Sequence, residues 1–199
     1  MEPLSRRARK KLETERSIVE TAMRLFREST YALITMEQIA ETADIAKATL
    51  YRYFPAKEAI LVAYWQYRSE DALKKAPSFF KRYTDTRTRL QAYLKLGLAE
   101  AMESHELFSA YFSYRMQNLS NPQLSRKLNS GFHRLLDQIL ASGVESAELR
   151  PDISLSVLAA QFELSASMLF VNWMRKPEEV NIDESVSMIV DIYLHGAAR

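Results

Sequence analysis

"TMEQIAETADIAKATLYRYFPAKEAIL", residues 35–61, is the stretch on which the reading of this chain turns. Thr35 followed three residues later by Gln38 is a capping-box start, and Ile39, Ala40 and Ala43 then point inward from a short helix. "DIA" is a turn. "KATLYRYF" follows as another short helix with Leu50 and Phe54 four residues apart on one face. Pro55 ends it, because proline lacks the N–H donor that the next helical turn needs. Two short helices joined by a tight turn, apolar at 39, 40, 43, 45, 50 and 54 and polar between, form a helix-turn-helix pattern. Lys47, Ala48, Thr49, Tyr51 and Arg52 are left around the outward side and the N-terminal end of the second helix, the part that reaches base edges in a recognition helix.

The charge distribution points the same way. The net charge is only +2, but residues 1–57 carry 11 Lys+Arg against 8 Asp+Glu while the remaining 142 carry 16 against 17. Six of the eleven cations fall in "RRARKKLETER", residues 6–16. A basic head on a near-neutral body suggests an anionic partner at one end.

Other classes find little support. With no cysteine, disulfides, thiolate metal sites and cysteine nucleophiles are excluded. The basic N-terminus runs into "LETERSIVET" rather than an apolar core, which argues against a secretory signal. "LSVLAAQFELSASMLFVNWM" is interrupted by Gln161, Glu163 and Asn172 and reads as a buried helix rather than a membrane span. His105, His133 and His195 are scattered without HExxH spacing, and no GxGxxG, P-loop or GxSxG occurs. The chain therefore reads as a cytoplasmic non-enzyme with no cofactor and no metal.

Four glycines, six prolines and long 3.6-residue periodicities make the whole chain all-α. A first helix is expected over Arg6–Ser29, with Ile18, Ala22, Leu25 and Phe26 as its apolar stripe. A longer helix should run from Lys57 towards Ala76 and close at Pro77, followed by helices at 85–103, 105–118, 122–146, 154–175 and 183–196. Residues 1–57 form the expected head and 58–199 a larger helical domain.

Residues 35–61 resemble the DNA-binding domain of the TetR family of bacterial transcription regulators. That family's pattern is met by Thr35, Ile39-Ala40, Thr49-Leu50-Tyr51, Phe54 and Lys57-Glu58. Three positions depart from it: Asp44 replaces the usual turn glycine, Ala46 the N-cap serine, and Ala48 the glycine before the Thr-Leu-Tyr run. Asp tolerates a left-handed turn, so the turn should survive, whereas losing the N-cap side chain costs about 1 kcal/mol.

The resemblance implies that Lys47, Ala48 and Tyr51, joined by Glu37, read bases in double-stranded DNA. Thr35, Thr49, Arg52, Tyr53 and Lys57 would then hold phosphates, and Arg6, Arg7 and Lys10 would add mobile contacts. It also implies a regulatory body that pairs two subunits on an inverted-repeat operator and encloses a small-molecule effector, most often to relieve repression. Aromatic residues in the middle helices suggest a largely apolar or aromatic effector, with Trp65, Tyr93, Phe108, Tyr111, Phe112, Phe132 and Trp173 as lining candidates and Arg115 for an anionic group. Leu158, Phe162, Met168, Phe170, Val186, Ile189, Val190 and Tyr193 are candidates for a homodimer face. A body that docks a protein partner without any small effector is the alternative.

Overall fold

The computed structural model describes residues 5–118 and 131–196, and among these it contains helices, turns and caps but no strand. The helices are α1 (Arg6–Glu28), α2 (Met36–Thr42), α3 (Lys47–Tyr53), α4 (Lys57–Lys74), α5 (Ala76–Arg82), α6 (Thr86–Met102), α7 (His105–Gln117), α8 (Gly131–Glu145), α9 (Leu155–Arg175) and α10 (Ile182–His195). Short 3-10 turns lie at Tyr31–Leu33 and Pro177–Glu179. The all-α reading holds. The start of the helix expected at 122 lies outside the described residues.

Packing divides the chain into two compact units. The first takes the chain up to Tyr67 together with α7 from Glu106 onward; the second takes Arg68–His105 and the chain from α8 to the end. The expected boundary at residue 57 follows the DNA-binding motif alone, whereas packing also gathers the first part of α4 into the first unit.

In the first unit, α1 buries Ile18, Val19, Ala22, Met23 and Phe26, close to the stripe read from sequence. α2 packs on α1 and α3 on α2. Ile39, Leu50, Ile60 and Leu61 are all fully buried, so the two motif helices are held by apolar anchors on their inner faces. The capping box forms as the sequence predicts: Gln38 N donates to Thr35 Oγ1 at 3.2 Å and Thr35 N to Gln38 Oε1 at 2.8 Å. Asp44 takes φ 50°, the left-handed turn that the family meets with glycine. α3 starts from Ala46 with no side-chain cap.

In the second unit α6 packs against α8 and α10, and α9 against the same two helices. Its core includes Leu90, Leu94, Leu98, Leu135, Leu136, Ile139, Phe162, Val186 and Val190. The start of α6 is tied down twice. Asp85 caps it by accepting from Thr88 N at 2.9 Å, and Glu148 accepts from Thr86 N at 2.7 Å. Both carboxyl groups are held below their ordinary values by those backbone donors. Thr86 itself is buried against α8, where a Cβ on Gly143 would come within 2.6 Å of Thr86 Oγ1; only glycine admits that approach.

Two expectations change. α4 stops at Lys74 rather than at Pro77, and Pro77 sits in the first turn of α5, where the missing N–H would have no partner in any case. α9 is buried on one side only: Leu158, Ala159, Phe162, Ala166, Leu169 and Trp173 face inward, while Val157, Leu164 and Met168 are exposed. By length and composition alone α9 is apolar enough to cross a membrane; its inward face instead belongs to the core of the second unit.

Candidate nucleic-acid interface and ligand-binding body

The recognition helix α3 is short, and its inner side is fully occupied by Leu50. Everything else on it faces outward in some degree. Lys47, Ala48, Tyr51 and Arg52 are exposed, and Thr49 and Tyr53 are half-buried. Tyr51 is 45% exposed and makes no hydrogen bond or ring contact with any described residue. A large aromatic side chain held out by a rigid helix has no folding reason to be there. Lys47 Nζ lies 3.8 Å from Glu37 Oε1, so two residues expected to read bases meet across the turn as an exposed ion pair. Arg52 lies 6.0 Å from the centre of the Tyr53 ring, and Tyr53 leans on Phe54.

Two of the residues expected to hold phosphates are engaged elsewhere. Thr35 is exposed, but its hydroxyl serves the capping box and also donates to Gln38 Oε1 at 3.2 Å. Lys57 turns inward: its ammonium donates to Tyr31 O at 2.9 Å and lies 4.4 Å from the centre of the Tyr31 ring. Tyr31 in turn donates its hydroxyl to Glu58 Oε1 at 3.0 Å. Burial, then the Glu58 carboxylate, pushes the Tyr31 hydroxyl far above its ordinary range. Lys57 thus braces the junction between the 3-10 turn and α4.

Sequence reading named Arg7, Lys10, Arg52 and Tyr53 but missed Lys11 and Thr14, and it did not see that the six come together. Arg7, Lys10, Lys11 and Thr14 on α1, with Arg52 and Tyr53 on α3, line one cleft of about 460 Å³. The signal was present as positions i, i+3, i+4 and i+7 of a helix, which share a face.

The eight residues expected around an effector fall in separate clusters. Trp65 on α4 is buried against Phe108 and Tyr111 of α7, at ring-centre distances of 5.7 and 5.8 Å, and Phe108 stacks on Phe112 at 5.9 Å. Trp65 Nε1 is buried with no hydrogen-bond acceptor among the described residues. Arg115 is half-buried further along α7. In the second unit Tyr93 meets Phe132 at 6.1 Å and Phe162 at 6.0 Å, and Trp173 lies 5.2 Å from His105. Burial pushes the Tyr193 hydroxyl up to about 12 where it donates to Leu158 O.

A cleft of about 550 Å³ in the second unit includes none of those eight residues. Phe79, Leu96 and Leu135 give it apolar walls, Arg68, Lys75 and Arg82 give it cations, and Asp71 and Glu100 give it carboxylates. Arg68 is already paired with Glu100 at 2.5 Å and Glu103 at 2.7 Å. The dimer candidates also sort by exposure. Leu158, Phe162, Val186 and Val190 are intrachain core, Phe170, Ile189 and Tyr193 are half-buried, and of the candidates Met168 is exposed; Leu164, Met188 and Ile192, which the sequence reading did not single out, are at least half exposed as well.

Comparison with known proteins agrees with this geometry. The sequence pattern described as "Bacterial regulatory proteins, tetR family" matches residues 18–64. The HTH-type transcriptional repressor KstR2 of Rhodococcus jostii is 25% identical over 183 residues, 91% of this chain and 89% of that protein. The fold matches that of Thermus thermophilus FadR, a TetR-family transcriptional repressor solved with lauroyl-CoA, at a TM-score of 0.80, 20% identity and coverage of 93% and 95% of the two chains. It also matches Bacillus subtilis FadR, solved with stearoyl-CoA, at a TM-score of 0.65, 19% identity and coverage of 92% and 98%. At these identities the two structures speak to the fold. The family pattern lies on the helix-turn-helix and relatives match along nearly their whole length, so residues 18–64 carry the DNA-binding pattern of the TetR family of bacterial regulatory proteins and the chain as a whole is similar to regulators of that kind.

Proposed function

We propose that the protein is a cytoplasmic, homodimeric repressor that reads an inverted-repeat operator and releases it when an amphipathic small molecule binds. The observation that carries the DNA reading is α3 itself: a helix anchored by Leu50 that holds Lys47, Ala48, Tyr51 and Arg52 in solvent. Lys47, Ala48 and Tyr51 read base edges with Glu37 setting the Lys47 ammonium, and Thr49, Arg52 and Tyr53 hold the backbone. One short helix reads only a few base pairs, so pairing two subunits doubles the site. Leu164 and Met168 on α9, with Met188 and Ile192 on α10, are the residues that a partner subunit would cover.

The effector is an amphiphile with an apolar tail and an anionic head. Two structurally similar regulators were solved with acyl-CoA thioesters, which supports that class. So does a cleft in the second unit with apolar walls and Lys75 and Arg82 on its lining beside Asp71 and Glu100. Coupling runs through α4, one continuous helix that gives residues to both units. To swing the DNA-competent population from 99:1 to 1:99 the effector must favour the released state by about 5.5 kcal/mol. The test is titration of lauroyl-CoA against the complex with a selected duplex. Release at concentrations where lauroyl-CoA binds the free protein supports the proposal; a ternary complex of unchanged DNA affinity would defeat the coupling.

A further inference from the structure

We infer that the face of α1 carrying Arg7, Lys10, Lys11 and Thr14 joins Arg52 and Tyr53 of α3 in a preformed clamp for one backbone phosphate of the bound duplex. The inference rests on the DNA-binding reading and extends it to a helix outside the reading motif. α1 is helical from Arg6, as the periodicity predicts, with Ser5 Oγ accepting from Ala8 N at its start, so Arg7 and Lys10, expected as mobile contacts, stand on a capped helix. The four residues of α1 share one face by their spacing and line the same cleft as Arg52 and Tyr53.

The electrostatics are unfavourable for the protein alone. Arg7, Lys10, Lys11 and Arg52 converge on one cleft, and among the described residues no carboxylate lines it and none of the four is ion-paired. Arg7 also sits in the first turn of α1, where the positive end of the helix dipole disfavours a cation, and no acidic residue occupies that turn to offset it. An external anion relieves both penalties. The donor set fits a phosphodiester: two guanidinium groups that bond anionic oxygens in a fork, two ammonium groups and the Tyr53 hydroxyl, while the Thr14 hydroxyl donates to Lys10 O at 2.9 Å. Arg52 and Tyr53 lie at the C-terminal end of α3, so the clamped phosphate would fix the angle at which the reading end of α3 enters the groove.

The experiment compares the wild-type dimer with an Arg7→Gln/Lys10→Gln/Lys11→Gln variant on its selected operator and on random duplex, from 50 to 300 mM salt. Glutamine keeps the helix propensity and removes only charge. One phosphate lost per protomer should make the slope of log K against log salt shallower by about 2 for the dimer, on both DNAs alike. The base consensus recovered from a random pool should be unchanged, and the melting temperature equal to or above wild type. A folded variant with the wild-type slope would overturn the clamp. So would pyrophosphate that stabilises wild type but not the variant while the DNA slopes stay equal, since the cleft would then hold a free phosphoanion. If wild type prefers no sequence yet the variant still loses slope on random DNA, the operator reading fails and the clamp stands. If wild type binds no duplex at all, both fall.

Discussion

Tyr51 and Lys57 lie six residues apart in the same motif and take opposite directions. Tyr51 stands in solvent without a partner, and Lys57 folds back onto the carbonyl and ring of Tyr31. The outward placement of Tyr51 was legible because Leu50 and Phe54 fix the face of α3 by spacing alone. The direction of Lys57 was not, because a four-carbon stem can turn either way and its partner lies 26 residues upstream. Replacing Lys57 with Met should remove a hydrogen bond and a cation–π contact and cost roughly 1–2 kcal/mol of stability. Its DNA salt slope should remain that of wild type, measured by thermal melts beside binding titrations. A shallower slope without loss of stability would return Lys57 to the phosphate backbone.

At the scale of elements, two helix starts make contrasting predictions. α3 begins at Ala46 without a side-chain cap, so Ala46→Ser should stabilise the head by about 1 kcal/mol. Chemical denaturation of the two proteins measures this directly. α6 begins under two carboxylates whose folded-state pKa values lie below the ordinary 3.8 of Asp85 and 4.5 of Glu148. A depressed carboxylate contributes stability that is complete above its unfolded value and lost as pH falls through the folded one. Glu148→Gln should therefore melt lower than wild type at pH 7, and the gap should close as pH falls below about 4.5. A gap that stays constant down to pH 3 would mean that the Glu148 side chain stabilises by packing instead of charge.

The cap at Thr35 and the left-handed turn at Asp44 could be read from sequence because each is a local contest between side chain and backbone. The partnership of Glu148 with Thr86 spans 62 residues, and no local pattern announces it. Pro77 was misread for a related reason. Proline ends one helix or begins the next according to where the chain turns, and that is a tertiary decision.

At the scale of the whole molecule, the all-α class and the head were legible because apolar periodicity and the motif agree. The body was legible only as helices. Its aromatic residues divide among separate clusters, and the cleft of the second unit is lined by the charged residues Arg68, Asp71, Lys75, Arg82 and Glu100, which sequence reading passed over. Periodicity marks which face of a helix is apolar, but not whether that face meets its own core or a second copy. Exposure separates the two faces of α9 and α10: Leu158, Phe162, Val186 and Val190 are buried, whereas Leu164, Met168, Met188 and Ile192 are exposed. A Leu164→Glu/Met168→Glu variant should run as a monomer in sedimentation, since each side chain contributes about 2 kcal/mol when buried in an interface. It should bind the operator at least 10-fold more weakly while melting within a few degrees of the wild-type monomer unit. A variant that stays dimeric would place the subunit contact elsewhere.

The central claim is that α3 reads sequence, twice, from a two-fold dimer. Its most direct test incubates the purified protein with a random duplex pool at physiological salt, sequences the bound fraction, and repeats the selection with Tyr51→Ala. The account predicts an inverted-repeat consensus whose half-sites lie about one helical turn or a multiple apart, with positions that blur in the variant. Recovery of no consensus, or of the same sharp consensus from Tyr51→Ala, would contradict it.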